Sequence, residues 1–147
     1  MLFGLSLTQE CYCHGRECGD SIAVFLSGWL GVLLDSSILT GDFFGYNVGK
    51  TIPFLKGATF AWLANPLSLL AVFLVRRKTK TALILSLIAA SLAISFLFFK
   101  GTIADEAGYY REITSYKAGY WLWLLSIITL LAGSFIIFKR QREDAKI

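Results

Sequence analysis

Arg76-Arg77-Lys78-Thr79-Lys80 puts four cations into five residues, and a charge-free run of 19 residues lies on each side of it, 57–75 before and 81–99 after. At about 1.5 Å per residue, each run makes a helix of roughly 28 Å, close to the hydrocarbon thickness of a bilayer. A cationic turn between two helices of that length reads as cytoplasmic, because short inner loops carry an excess of Lys and Arg. That one assignment orients the rest of the chain.

A third charge-free run, 118–138, ends in Lys139-Arg140-Gln141-Arg142. The chain has 147 residues, 56% hydrophobic and 16% charged, with a mean hydropathy of +0.63. A soluble domain carries about 25% charged residues, and a core this small cannot bury so many apolar runs. The composition therefore points to one integral membrane domain, 1–147, with no linker or repeat to mark a second. The net charge of +4 is explained by cations at helix ends facing an anionic leaflet, so no nucleic-acid partner is expected. No signal peptide is evident, since the first residues lack a basic start and a long apolar stretch.

Residues 21–39 form the remaining span. Its clean apolar part, 21–34, is short, and the full stretch includes Asp35. Segments of that length are often re-entrant. The expected fold is all-α: an up-down bundle of four transmembrane helices at 21–39, 57–75, 81–99 and 118–138, the first being the one with a re-entrant alternative. The tail, 139–147, shares the side of the basic turn. Those two regions hold Arg76, Arg77, Lys78, Lys80, Lys139, Arg140, Arg142 and Lys146, against Lys50, Lys56, Lys100, Arg111 and Lys117 in the two opposite loops. Eight against five favours a cytoplasmic C-terminus, in a bacterial inner membrane. Aromatic residues agree: Trp62, Tyr116, Tyr120, Trp121 and Trp123 gather toward the outer ends. Four complete spans would leave the N-terminal segment 10–20 on the cytoplasmic side; a re-entrant 21–39 would leave it outside.

Segment 10–20 holds every Cys and the only His: Cys11, Cys13, His14 and Cys18. Three thiolates and an imidazole match the ligand preference of zinc, and soft thiolates also suit copper(I). The spacing C-x-C-H-x3-C fits no standard knuckle, and it is one residue short of a haem-attachment motif. Bystander thiols, or a disulfide plus one free thiol, are the plainer alternatives.

Two polar residues lie at membrane depth. Asp35 sits about one turn inside the end of its span, where a carboxylate either reaches headgroup water or serves a function. Asn65 precedes Pro66 in the middle of 57–75, where the proline is expected to kink the helix. Asn65 is either glue between helices or, with Asp35, the lining of a polar pocket.

No catalytic motif is present. One His excludes H-E-x-x-H, and there is no G-x-S-x-G, phosphate loop or C-x-x-C pair. The expectation is a non-catalytic interaction, assembly or immunity-type protein, not an enzyme, whose partners are the bilayer and another membrane protein or a second copy. The alternative is a small transporter, channel or metal-handling protein using the Cys/His cluster.

Overall fold

A computed structural model of the chain describes residues 1–29, 58–103 and 110–144. The order is α1 (Leu2–Leu7), β1 (Glu10–His14), β2 (Glu17–Asp20), a helical run α2 over 21–29, a 3-10 helix (Ala58–Leu63), α3 (Ala64–Leu74), α4 (Thr79–Ser95) with a 3-10 end (Phe96–Phe98), β3 (Gly101–Ile103), β4 (Tyr110–Glu112), β5 (Ser115–Tyr116) and α5 (Ala118–Asp144). The described residues are mostly helical, as the apolar runs dictate. The all-α expectation is amended by five short strands at one end of the bundle.

Two helices, Thr79–Phe98 and Ala118–Asp144, are long and apolar enough to cross a membrane. They are not core helices in the soluble sense, because only 33% and 17% of their most apolar stretches are buried. What they bury is small. Thr79, Ala82, Ser86, Ala89 with its neighbour Ala90, and Ala93 form one face of α4, at steps of three or four residues. Ala64, Ser68 and Ala71 do the same on α3. Leu69, Leu70, Val72, Phe73, Ile84, Leu87, Ile88, Leu125, Ile128, Phe135 and Ile136 point outward. Small residues let backbones approach closely, which is the packing used where lipid offers large apolar side chains an equally apolar surrounding. Ser86 and Ser95 donate to carbonyls three residues back, so their hydroxyls need no outside partner.

The apolar run 57–75 is not a single α-helix kinked at its middle. It begins as the 3-10 helix and becomes α-helical at Ala64, so Pro66 stands in the first turn of α3. Proline is tolerated in the first turn of an α-helix, where its fixed φ suits the winding. The tighter winding also lengthens the element: six residues at about 2.0 Å plus eleven at about 1.5 Å give roughly 28 Å.

The N-terminal segment is the larger surprise. β1 pairs with β2 on one edge and with β5 on the other, in the order β2-β1-β5. β5 lies between α4 and α5, at the end of the bundle away from the basic turn. Segment 10–20 is therefore opposite Arg76–Lys80, not beside it as four complete spans require. The reason is a hydrogen-bond account: a two-stranded hairpin is marginal alone, and β5 satisfies the free edge of β1. A second ribbon, β3 with β4, pairs Gly101 with Glu112 and Ile103 with Tyr110. Residues 100–117, one of the two loops opposite the basic turn, are in their described part mostly extended.

Candidate functional site

The hairpin turns at Gly15-Arg16, with Cys13 opposite Cys18 and His14 opposite Glu17. Gly15 has φ +65°, and among the described residues no non-glycine has positive φ. A positive φ at the first of two turn residues is the type II′ pattern, which glycine adopts without a Cβ penalty. The turn brings the two facing cysteines within bonding reach: Cys13 and Cys18 form a disulfide across a Cα–Cα distance of 4.0 Å. Two of the four ligands expected of a Cys/His metal site are thereby bonded to each other. The Glu10 carboxylate lies within 4.8 Å of both sulfurs, but a disulfide offers no thiolate to share with it.

His14 is also committed locally. Its Nδ1 donates to the Glu112 carbonyl at 2.9 Å, because a carbonyl can only accept. Thr114 stitches the same corner: its hydroxyl donates to Cys13 O at 3.0 Å and accepts from Gly15 N at 3.1 Å, while its amide donates to Cys13 O at 2.8 Å. Lys117 N donates to Cys11 O at 2.8 Å. The Cys/His segment is thus the middle of a sheet that caps one end of the bundle.

Cys11 is the free thiol. Burial pushes it up to about 11, with the Ser21 hydroxyl offsetting part of the effect. A thiol so protonated at neutral pH is a poor nucleophile. Beneath the sheet lies an aromatic layer. Tyr12 packs on Phe96, Phe96 on Tyr116 and Tyr120, and Tyr120 on Trp121 and Trp123. The Tyr116 hydroxyl donates to Phe96 O at 3.2 Å, closing the loop onto the end of α4.

Two glycines allow close approach. A Cβ on Gly119 would lie 2.6 Å from the Glu10 carbonyl oxygen and would overlap Ser21, so the first turn of α5 fits directly under the base of the hairpin. A Cβ on Gly28 would overlap the Trp62 ring, whose indole N–H donates to Phe25 O at 2.8 Å and ties α2 to the start of the α3 element.

Asn65 is buried, and the Trp123 indole N–H donates to its side-chain oxygen at 2.7 Å. The polar residue expected at mid-membrane therefore joins α3 to α5. Asp35 lies outside the described residues. Cys11, Cys13, His14 and Cys18 are brought together; Asn65 is held elsewhere, among the helices. Thr114 and Gly119 were not singled out from sequence, and Trp123 was read as an interfacial aromatic, not as the partner of Asn65. The symmetric placement of Cys13 and Cys18 about Gly15-Arg16 was the signal that marks a cross-hairpin disulfide. No known protein family, curated protein or solved structure matches the chain.

Proposed function

We propose that this chain is an integral protein of the bacterial inner membrane, without catalytic activity, whose disulfide-closed sheet is an outward-facing platform for assembly with another membrane protein or a second copy. One observation carries the membrane part: the helices bury Ala, Ser, Thr and Gly while exposing Leu, Ile and Phe. In water that arrangement forfeits the hydrophobic effect; in lipid it costs nothing. The crossings are then α3 with its 3-10 start, α4 and α5. A hairpin on the outside goes with the re-entrant alternative for 21–39, of which 30–39 lie outside the described residues.

Two independent features agree on the orientation. The basic turn favours the cytoplasm. The Cys13–Cys18 disulfide, at the opposite end, belongs in the oxidising compartment. The platform reading is supported by what the cap contains: a sheet held by backbone pairing over an aromatic layer.

The test has two arms. Membranes carrying the chain are washed with alkaline carbonate, and single cysteines at Ser115 and Lys78 are placed in a Cys11→Ser background. The expected result is retention in the pellet, with impermeant maleimide labelling at 115 and not at 78 in intact cells. Release by carbonate, or labelling at 78, overturns the reading. For the platform, a photo-crosslinker at Glu17 is expected to give a discrete adduct to a membrane protein or to a second copy; no adduct in native membranes removes it.

A further inference from the structure

At the end of the bundle away from the sheet is a cleft of about 790 Å³, lined by Arg77, Lys78 and Lys80 from the turn and α4, and by Phe138, Gln141 and Arg142 from α5. We propose that this cleft binds the phosphate headgroup of an anionic phospholipid, an inference that rests on the membrane reading above. Four cations from two elements line the cleft, and among the described residues no carboxylate does. The nearest acid along α5, Glu143, sits instead 3.9 Å from Lys139.

The first turn of α4 adds a second attraction. Lys78 at its N-cap makes no side-chain cap, and the helical ladder begins with Ala82 N donating to Lys78 O. The amides of Thr79, Lys80 and Thr81 therefore precede the ladder, with the positive end of the helix dipole behind them. Backbone N–H groups and Arg side chains together suit a phosphate with its several acceptor oxygens.

The surroundings select lipid over a free anion. Within one to two turns of the cleft, Ile84 on α4 and Phe135, Ile136 and Ile137 on α5 are exposed. A headgroup held at the cations would lay its acyl chains along these side chains. A free phosphate would gain nothing from them. Basic pockets between transmembrane helices on the cytoplasmic side hold anionic headgroups in this way.

The test uses the full chain, delipidated in mild detergent and titrated with phosphatidylglycerol or phosphatidylcholine, with retained lipid counted by native mass spectrometry. The wild-type chain should retain phosphatidylglycerol preferentially. Arg142→Gln and Arg77→Gln should each weaken retention about five-fold, the contribution of one cation near an anionic headgroup. Arg142→Lys should restore most of it, and Lys139→Gln, outside the cleft, should change nothing. Helix content and elution volume confirm that each variant is folded. Equal retention of phosphatidylcholine overturns the proposal. So does an equal loss in Lys139→Gln, which would mean general charge attraction. Displacement by millimolar inorganic phosphate as effective as by the lipid would assign the cleft to a free anion instead. Failure of the parent reading is separate: the protein would then leave the membrane in the carbonate wash.

Discussion

Replacing Trp123 by Phe removes the indole N–H that reaches Asn65 at 2.7 Å while keeping most of the ring volume. Asn65 is 5% exposed, so water cannot take the place of the lost donor. A side-chain hydrogen bond between helices in a bilayer is worth about 0.6 kcal/mol on average and about 1.7 at most. A buried acceptor left unpaired costs about 1–3 kcal/mol. The short distance and the enclosure put this pair near the upper end, at about 1.4 kcal/mol of coupling, or ten-fold in the unfolding equilibrium. The measurement is a double-mutant cycle with Trp123→Phe, Asn65→Ala and both together, unfolded in mixed micelles by rising SDS and followed by helix content. Each single change should cost about 2 kcal/mol, and the double about 1.4 kcal/mol less than their sum. Coupling below about 0.3 kcal/mol, within the error of additivity, would refute the reasoning and return Asn65 to the polar-pocket alternative.

Replacing Cys13 and Cys18 together by Ser opens a loop of only a few residues, with a sequence separation of 5, so the loss should be small for a disulfide, about 2 kcal/mol, read as faster protease cleavage within 10–20 while the bundle melts unchanged. Gly119→Ala should lower stability by about 1–3 kcal/mol, because the added methyl meets the Glu10 backbone, whereas Gly133→Ala, with nothing within 4 Å, should raise it by up to about 1 kcal/mol; thermal melts in detergent decide between these opposite signs. Cys11 should alkylate slowly at pH 8 in the folded chain and roughly 100-fold faster once unfolded, since the thiolate fraction changes ten-fold per unit between about 11 and the ordinary value of 9.0. Equal rates in the two states would show that the thiol is not held in a buried site.

The helices were legible because their signal is local. The charge-free run 118–138 begins where α5 begins, and 81–99 overlaps α4 and its 3-10 end. The cationic tail does not stop α5, which continues to Asp144, since Lys and Arg are good helix formers and favour a C-terminal turn. Ser86 and Ala90 are buried on the face that 82, 86, 89, 90 and 93 share, whereas Ser91 falls off it and is exposed. The sheet was not legible. β1 is short and polar, and its partner β5 has two residues at the far end of the sequence, so neither carries a pattern strong enough to name the other. The Cys/His spacing was read for its chemistry, and the Gly15 turn between the cysteines decides their fate. Placing 10–20 beside the basic turn treated it as independent of residues 100–117, whereas β1 pairs with β5; of the readings of the Cys/His segment, the disulfide plus one free thiol is the arrangement found.

The pairing of β1 with β5 also has a consequence in time. Cys13 and Thr114 are 101 residues apart in sequence. At about 5–20 residues per second, a ribosome needs on the order of 5–20 s to supply that distance. During this interval the hairpin 10–20 has been made and its partner has not. Its exposed edge is a template for pairing with any other extended chain. The cross-strand disulfide can form from local residues alone, so it holds the hairpin in register before α5 exists. A chain truncated ahead of β5 would keep that bond and never find its edge covered, which makes the arrival of β5, not the first segment, the step that completes the cap.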